Sequence, residues 1–394
     1  MKEQIALGFG GCIDYEIVWD SKVMEGLITQ YAICADEVAD QRVVTSERNL
    51  VISILNFMQA GSGGERWVVD AAIIEHFAQR FDKKITLGGT SVRAAIAMRK
   101  LGYSAVLHLV TRNDHVRRLI PSDNPYVCSN PADSSHPHLI VQFGQGTCVR
   151  AGDINLCTSR ANRIIYHNDT DNVTMRLNEE FAELITEAKV LLISGFNAMQ
   201  RAELLAARLA SLLRIMAKLP KDAVVFYEDA GFYDPSFQQF IHAALADKIT
   251  IFSLNEDELQ AYLGLSVDVL DAHQIKAALA DLQAIIPVPL LVIHSMYWAL
   301  AYGANASRVA RALKGGVTMA TTRFRYGDDF TLADYREVEA LPPNPAGAAF
   351  AVAIQQVLGN KVCCVPVAQV DQPNGTTIGL GDAFVGGFLP ALLP

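Results

Sequence analysis

The segment Gly379-Leu380-Gly381-Asp382, near the end of the 394-residue chain, combines residue types that could transfer a phosphoryl group. Its two glycines allow a tight turn and leave the backbone open to a ligand. The segment leads into a predicted helix at 381–388, and the free N–H groups at a helix start favour an anion. Asp382 could take a proton from an alcohol while these amides neutralise a phosphoryl group. Gly379, Leu380 and Gly381 are therefore candidate anion-hole residues and Asp382 a candidate base, although the spacing alone fits an ordinary helix cap equally well.

Acidic residues follow two predicted strands of the C-terminal half. The tetrapeptide Asn-Glu-Asp-Glu at 255–258 comes directly after the apolar stretch 250–254, and Glu228-Asp229 comes after 223–227. The carboxyl ends of parallel strands share one edge of a sheet, where open α/β sheets bind ligands. Oxygen ligands of this kind are those that Mg²⁺ prefers. The pattern therefore favours a magnesium site, with an acidic first helical turn and solvated acids as the simpler alternatives.

Polar residues in the N-terminal half could bind a second substrate. Asp14 follows the first predicted strand, and a carboxylate accepts hydrogen bonds from sugar hydroxyls. Gly88-Gly89 precede a predicted helix at 92–101 and could offer backbone amides to the same ligand. His294 ends an apolar stretch, which favours a hydrogen-bonded core histidine over a catalyst. A phosphorylated sugar would need guanidinium groups, and four arginines are candidates: Arg150, Arg160, Arg163 and Arg323.

The elements that must position these residues follow from hydrophobic periodicity. Four near-continuous apolar stretches alternate with helical stretches along 189–294, which is typical of a parallel sheet covered on both faces. The sequence therefore predicts an α/β fold with a three-layer, doubly wound α/β/α domain. Shorter β-rich stretches in the first half of the chain predict a small lid. The expected ranges are, for the large domain, 1–12, 46–112 and 173–394, and, for the lid, 13–45 and 113–172.

Composition narrows the classes of function. Hydrophobic residues make up 51% and charged residues 19% of the chain, which favours a folded protein with a sizeable core. The formal net charge of −9 argues against nucleic acid and anionic membranes as partners. Seven scattered cysteines without a CxxC motif argue against a disulfide framework or a zinc site and predict free thiols in a reducing compartment. With neither signal-peptide features nor an apolar run long enough for a membrane span, we expect a cytoplasmic protein.

Taken together, these motifs resemble the ADP-dependent glucokinase and phosphofructokinase family, a branch of the ribokinase-like kinases. The Asn-x-x-Glu spacing ahead of a terminal Gly-x-Gly-Asp is the most specific feature. The matching pieces occur in family order along almost the whole chain: Ile13-Asp14, Gly88-Gly89, His138-Leu139-Ile140, Ala161-Asn162-Arg163-Ile164-Ile165, Ser194-Gly195, Glu228, the tetrapeptide 255–258, His294 and the segment 379–382.

The resemblance implies a ribokinase-like large domain and a small β lid that closes over a sugar. It implies that Asp382 is the catalytic base and that Glu228 and Glu258 organise Mg²⁺. The implied contacts to the sugar are Asp14, Gly88, Gly89 and, more weakly, Arg163. The implied contacts to the adenine nucleotide are Asn255, Val365, Val367 and Gly379.

Three departures from the family pattern keep alternatives open. Thr90 follows Gly88-Gly89 where an amide residue is usual, and Phe226 replaces the histidine of a His-x-Glu pattern. The stretch 383–387 resembles ATP-using relatives as much as ADP users. An ATP-dependent ribokinase-like sugar kinase and a non-catalytic sugar or nucleotide sensor are therefore alternatives.

The leading hypothesis is an ADP-dependent, Mg²⁺-dependent sugar kinase. Its acceptor would be a hydroxyl of glucose or of a sugar phosphate such as fructose 6-phosphate, and the protein would be a monomer or a small homo-oligomer. A nucleotide-dependent dehydrogenase is disfavoured, because Ile13 stands where the Gly-x-Gly-x-x-Gly fingerprint needs glycine.

Overall fold

Strands and helices alternate along most of the chain in the computed structural model, which describes residues 3–372 and 375–393. The strands are β1 (Ile5–Leu7), β2 (Cys12–Ile17), β3 (Val43–Val44), β4 (Gly64–Val68), β5 (Lys83–Gly88), β6 (Val106–Leu109), β7 (Tyr126–Cys128), β8 (Pro137–Phe143), β9 (Cys148–Ala151), β10 (Ile154–Cys157), β11 (Asn162–His167), β12 (Val190–Ile193), β13 (Val224–Glu228), β14 (Ile251–Asn255), β15 (Leu290–His294), β16 (Trp298–Gly303) and β17 (Val362–Pro366).

The helices lie between these strands and after them. They are α1 (Ser21–Gln30), α2 (Glu47–Ala60), α3 (Ala71–Ala78), α4 (Thr90–Lys100), α5 (Asp114–Leu119), α6 (Thr170–Thr174), α7 (Phe181–Leu184), α8 (Ala202–Met216), α9 (Gln238–Leu245), α10 (Glu256–Leu263), α11 (Ala272–Ile285), α12 (Ala310–Tyr326), α13 (Leu332–Glu339), α14 (Pro345–Leu358) and α15 (Leu380–Phe388). Within the described ranges, no helix is both long and apolar enough to cross a membrane.

The larger sheet has nine strands in the order β17-β16-β15-β14-β13-β12-β1-β6-β7. The strands from β7 to β15 in this order are mutually parallel. Strands β16 and β17 extend the sheet by antiparallel pairing. The chain builds outward from β1 through β6 and β7 on one side, then returns to build β12 to β15 on the other. This doubly wound order opens a crevice at the carboxyl ends of the central strands.

Alternate side chains of the nine-stranded sheet face two separate apolar cores. Leu191 and Phe252 point to the core that contains residues of α8, α9, α11 and α14. Leu192 and Phe226 point to the core that contains residues of α4, α12 and α15. Burial of both faces by helices confirms the predicted three-layer α/β/α fold.

The second sheet has six strands, some parallel and some antiparallel, in the order β3-β4-β11-β8-β2-β5. Helices α1, α2 and α3 bury their apolar residues, such as Met24, Phe57 and Phe77, against one face of it. Because successive side chains of a strand point to opposite faces, the other face carries polar residues. We call it the polar face, and strand register assigns to it Cys12, Asp14, Glu16, Thr86, Gly88, His138 and Arg163, together with Glu65.

Strand pairing differs from the expected domain ranges in two places. Strands β4 and β5, within 46–112, pair in the six-stranded sheet, where α2 and α3 also pack. Strand β7, within 113–172, pairs with β6 in the nine-stranded sheet. Periodicity identifies a buried face but not the sheet that buries it, so the sequence did not indicate these pairings. The domain ranges stay a prediction.

A disulfide corrects the expectation that all seven cysteines are free thiols. Cys148 and Cys157 lie directly opposite each other in the antiparallel β9–β10 hairpin and are joined by a disulfide. The hairpin register brings the two residues together, and their spacing in the sequence gives no sign of it. The other five cysteines are free.

Candidate active site

The segment 379–382 forms the predicted turn and helix start. Gly379 has a φ of 62°, a left-handed conformation that favours glycine, and α15 begins at the next residue. The Ala383 N–H donates to the Gly379 carbonyl at 3.0 Å, and the amides before it have no partner within the helix, as at any helix start. Asp382 lies in this first turn with its side chain 22% exposed. The turn can therefore present amides to an anion beside an accessible carboxylate.

Close packing of glycine fixes the position of α15. A Cβ added at Gly386 would lie 2.8 Å from the Ala97 Cβ of α4. A Cβ added at Gly387 would collide with the Gly315 carbonyl of α12. Helices α4 and α12 can approach α15 this closely because neither glycine carries a side chain. The 379–382 turn is consequently positioned by two neighbouring helices.

Arg323 supports the same turn from α12. Its Nε donates to the Ile378 carbonyl at 2.7 Å, one residue before Gly379, and its Nη1 forms an ion pair with Asp328. The side chain is buried. Arg323 therefore holds the backbone of the turn, which is a different role from the phosphate contact considered for it from the sequence.

Arg93, on α4, joins Asp382 to the polar face. Its Nη2 donates to Asp14 Oδ2 at 2.7 Å and to Glu16 Oε1 at 3.2 Å. Its Nε lies 3.8 Å from Asp382 Oδ2. Burial acts to lower the pKa of Arg93, but the charges of Asp14, Asp382 and Glu16 raise it above its ordinary value, so the side chain is a cation. Three carboxylates therefore share one buried positive charge.

The carboxylate of Asp14 is enclosed by the residues around it. Asp14 is 4% exposed, and its Oδ1 accepts a hydrogen bond from the Cys12 thiol at 3.3 Å. A Cβ at Gly88 would lie 2.5 Å from Asp14 Oδ2. Gly89 has a φ of 87°, and a Cβ there would lie 2.7 Å from the Gly11 Cα. The two glycines thus make room for Asp14 and for the Gly11 backbone, while the sugar contacts of Asp14, Gly88 and Gly89 stay a prediction.

Three neighbouring parallel strands end in polar residues, with Glu228 on β13, Asn255 on β14 and His294 on β15. His294 Nε2 donates to Glu228 Oε1 at 3.0 Å. Asn255 caps α10, since its Oδ1 accepts from the Glu258 N–H at 2.9 Å and Glu258 Oε2 accepts from the Asn255 N–H at 2.8 Å. This capping box is the structural reason for the Asn-x-x-Glu spacing, and it fixes Glu258 at the edge of the sheet beside Glu228.

Within the described part of the chain, the acids at these strand ends pair with the imidazole of His294 but with no arginine or lysine. Among the described residues, Glu228 Oε2 and both carboxylate oxygens of Asp229 are buried without a hydrogen bond of ordinary geometry. Burial and the charge of Glu258 raise the pKa of Asp229 well above its usual value. Burial and the charge of Glu228 raise the pKa of Glu258 to about 7, although the Asn255 N–H bond opposes the shift. The buried Glu228 Oε2, which has no hydrogen bond, and the neighbouring carboxylate of Glu258 fit a bound Mg²⁺, which these two residues would hold.

His294 connects these acids to α15. Its ring stacks on Phe384 of α15 with centroids 4.7 Å apart, and a Cβ at Gly381 would lie 3.5 Å from its Cε1. Burial acts to lower the pKa of His294, but the hydrogen bond from its ring to Glu228 and the charge of that acid hold the pKa above the usual value. The acids at these strand ends and the 379–382 turn therefore lie on either side of the His294 ring.

The remaining site residues predicted from the sequence lie further apart. Val365 is in β17, which ends at the same edge of the sheet as β15, and the Val367 N–H donates to the Tyr297 carbonyl at 3.0 Å. Both valines are half-buried. Arg163 is on β11, and β8 and β2 separate it from β5 in the small sheet. The structure does not bring Arg163 to the 379–382 turn, and its contact with a sugar stays a prediction.

Arg93 and Asp169 belong to the site but carried no motif in the sequence. Arg93 follows Gly89 by four residues, on a helical stretch whose other buried residues are small or apolar. Asp169 accepts from His138 Nε2 at 3.0 Å and from Asn172 Nδ2 at 2.6 Å. The Asp-x-x-Asn spacing at 169–172 is an N-cap signal, and Asp169 does cap α6, which is the one sequence sign that could have drawn attention to it.

The fold and the site together define a small-molecule kinase, because a carboxylate beside an anion-binding helix start is suited to moving a phosphoryl group to a hydroxyl. A sequence comparison with curated proteins found no match. A family model described as the ADP-specific phosphofructokinase/glucokinase conserved region matches residues 3–389. The chain therefore belongs to the ADP-specific phosphofructokinase and glucokinase family and is a sugar-kinase phosphotransferase, as its motifs predicted.

Solved structures of the same fold cover the whole chain. A phosphofructokinase from Pyrococcus horikoshii OT3 with AMP is 16% identical, with a TM-score of 0.75 over 99% of this chain and 97% of that one. An ADP-dependent kinase in complex with fructose-6-phosphate and ADPβS is 15% identical, with a TM-score of 0.75 over 100% and 94%. The last common ancestor of ADP-dependent phosphofructokinases from Methanosarcinales is 15% identical, with a TM-score of 0.71 over 100% and 94%. These likenesses establish the fold.

Proposed function

We propose that this chain transfers a phosphoryl group from ADP to a sugar hydroxyl, with Mg²⁺ as cofactor and Asp382 as the catalytic base. The observation that carries the proposal is the placement of Asp382 in the first turn of α15, directly after the left-handed Gly379. Amides for the anion and a carboxylate for the proton are thereby fixed on one rigid helix start. Family membership supports ADP as the donor.

In the proposed reaction, Asp382 takes the proton of the acceptor hydroxyl as that oxygen bonds to the terminal phosphorus of ADP. The phosphorus–oxygen bond to AMP breaks, and the proton stays on Asp382. The amides of 379–381 donate to the transferring group, and Arg93 holds Asp382 and the polar face in one ionic network. A Mg²⁺ ion held by Glu228 and Glu258 would neutralise phosphate charge when bound.

The acceptor would lie against the polar face. Glu65 is exposed on this face, and Asp14 and Glu16 add two more acids, so carboxylates outnumber the guanidinium groups there. Acids suit the hydroxyls of a neutral hexose such as glucose, so we place glucose first among the acceptors. Arg163, half-buried on the same face, favours fructose 6-phosphate as the second candidate.

A nucleotide and acceptor panel tests the proposal. The purified chain is incubated with Mg²⁺, with ADP or ATP, and with glucose or fructose 6-phosphate, and AMP or ADP formation is measured. We expect AMP from ADP with at least one of the two sugars. Turnover with ATP alone would establish the ATP-dependent alternative, and sugar binding without turnover of any pair would establish the sensor.

The Asp382→Asn variant tests the base. We expect turnover to fall by about 10²- to 10⁴-fold, the usual contribution of a positioned base, while the folded structure is kept. Asp281→Asn, at an exposed position of α11, is the matched control and should retain full activity. Transfer within tenfold of the unmodified chain in Asp382→Asn would remove Asp382 from the role of base.

A further inference from the structure

A cluster of three metal-ligating side chains lies on the polar face, away from the acids proposed to hold Mg²⁺. Cys12 Sγ, a carboxylate oxygen of Asp14 and a ring nitrogen of His138 all lie within 4.8 Å of one another. Cys12 and Asp14 are two residues apart on β2, so their side chains share a face, and His138 is the register partner of Asp14 on β8. We propose that these three residues form a binding site for a thiophilic divalent metal ion of the Zn²⁺ class.

Hydrogen bonds already orient two of the three ligands. His138 Nε2 donates to Asp169 Oδ2 at 3.0 Å, which leaves Nδ1 as the nitrogen for a metal. Asn172 steadies Asp169 through bonds to both of its carboxylate oxygens, at 2.9 Å from the backbone and 2.6 Å from the side chain. A carboxylate behind a metal-binding histidine is the usual outer partner of such a site. Asp169 thus supplies for His138 the support that a metal ligand needs.

Asp14 divides its two oxygens between two neighbours. Oδ2 accepts from Arg93, and Oδ1 faces the Cys12 thiol at 3.3 Å. A metal would replace the thiol proton between Sγ and Oδ1, and that proton would pass to solvent as the thiolate–metal bond forms. The ionic network around the cluster contains one guanidinium, Arg93, and four carboxylates, which are Asp14, Glu16, Asp169 and Asp382. This excess of negative charge favours a dication.

The ligand chemistry selects the class of metal. One sulfur, one imidazole nitrogen and one carboxylate oxygen suit Zn²⁺, whereas Mg²⁺ prefers oxygen ligands only. Three protein ligands leave a fourth tetrahedral position open. A metal here would lie on the face proposed for the acceptor, so we expect Zn²⁺ to inhibit the kinase by competing with the sugar. This inhibition rests on the proposed function, whereas metal binding does not.

Cobalt titration of the metal-free protein tests the site directly, without nucleotide or sugar. We expect Co²⁺ to produce the thiolate charge-transfer absorption and Zn²⁺ to abolish it by displacement. Cys12→Ser should remove the absorption, and His138→Asn should weaken Zn²⁺ affinity at least tenfold in competition with a chromophoric chelator. Cys34→Ser and His273→Asn, at exposed positions, are the matched controls and should behave as the unmodified chain.

A measurement on the unmodified chain keeps the test independent of whether the variants fold, and one more variant tests the support behind His138. X-ray absorption of the Zn²⁺-loaded unmodified protein should show one sulfur ligand with nitrogen and oxygen ligands. Asp169→Asn, which removes the charge behind His138, should weaken Zn²⁺ binding by about 10- to 100-fold. The proposal is overturned if the unmodified chain gives no thiolate absorption, if Cys12→Ser keeps it, or if the Zn²⁺ spectrum contains no sulfur. Kinase activity with no Zn²⁺ binding would overturn this inference alone, and Zn²⁺ binding with no kinase activity would overturn only the proposed function.

Discussion

The carboxylates around Arg93 and those at the ends of β13 and β14 carry similar charge in very different surroundings. Asp14, Glu16 and Asp382 all lie within 4 Å of one buried guanidinium. Glu228 has an imidazole as partner, and the two oxygens of Asp229 have no hydrogen bond of ordinary geometry among the described residues. We call the first group the compensated acids and the second, which includes Glu258, the strand-end acids.

The pKa of Asp169, which lies beside the compensated acids, and the pKa values of Asp229 and Glu258 are shifted in opposite directions. Beside the compensated acids, burial acts to raise the pKa of Asp169, but the hydrogen bond and charge of His138 outweigh it and hold the pKa below its usual value. At the strand ends, burial and neighbouring acids raise the pKa values of Asp229 and Glu258. A buried acid costs stability unless a cation accompanies it. Arg93 already neutralises part of the charge of the compensated acids, whereas the strand-end acids have no arginine or lysine partner in the described part of the chain and so depend more on a bound cation.

Removal of the cation from the compensated acids gives the largest expected effect. Arg93→Met leaves buried carboxylates without a partner, and we expect the free energy of unfolding to fall by about 3–5 kcal/mol. Chemical denaturation measures it. Arg99→Met is the control, because Arg99 pairs with Asp123 at the surface and such pairs contribute less than about 1 kcal/mol. Equal losses in the two variants would show that Arg93 compensates nothing.

Addition of Mg²⁺ tests the strand-end acids. A cation bound only by the folded chain raises the free energy of unfolding by about 2.7 kcal/mol at a concentration 100 times its Kd. We expect this gain in the unmodified chain and its loss in Glu258→Gln, as measured by thermal unfolding with Mg²⁺ or with a chelator. Asp257→Asn changes an exposed acid of the same helical turn and should keep the gain. A Glu258→Gln chain that still gains stability with Mg²⁺ would place the ion elsewhere.

The contrast between the strand-end acids and the acids around Arg93 also explains which site residues the sequence could predict. Glu228, Asn255 and Glu258 are determined locally, because strand ends and a helix N-cap have recognisable patterns and parallel strands align their ends. The 379–382 turn is local as well. Arg93 is different, since its partners Asp14 and Glu16 are 79 and 77 residues away and belong to the other sheet. Hydrophobic periodicity describes one helix or strand at a time. A contact between a helix that covers one sheet and a strand of the other sheet therefore leaves no pattern in either element.

The six-stranded sheet illustrates the same limit at the level of the fold. The alternation of β and α stretches predicted a parallel sheet covered on both faces, because the strands of such a sheet are apolar throughout, and the nine-stranded sheet contains it. Helices α2 and α3 have equally clear apolar faces, yet they pack on the six-stranded sheet. The Cys148–Cys157 pair likewise depends on the register of a hairpin. The sequence indicated that each of these helices and strands exists, but it did not indicate which surface each one packs against.

Asp229→Asn should stabilise the protein when divalent cations are removed. The raised pKa of Asp229 means that the folded chain binds more protons than the unfolded chain above the ordinary carboxyl pKa, so stability falls as the pH rises. Asparagine does not titrate, so the variant should not lose stability in this way as the pH rises. We expect its free energy of unfolding at neutral pH to be higher by about 1 kcal/mol or more. Unfolding curves from pH 4 to 8 in chelator measure the slope. An unchanged slope in Asp229→Asn would mean that Asp229 does not destabilise the folded chain.

Asp169→Asn should give the smallest effect, with the opposite sign of slope. The lowered pKa of Asp169 means that its stabilisation is complete above the ordinary carboxyl pKa and is lost as the pH falls through the folded-state value. The variant should therefore lose stability at neutral pH, by about 1 kcal/mol, and show a flatter decline below pH 4. The hydrogen bond joins Asp169 to His138, so the lost stability measures this pair and is not added to a separate contribution from His138. If Asp169→Asn and Asp229→Asn changed the pH slope in the same direction, the contrast between Asp169, which His138 accompanies, and the strand-end acid Asp229 would be wrong.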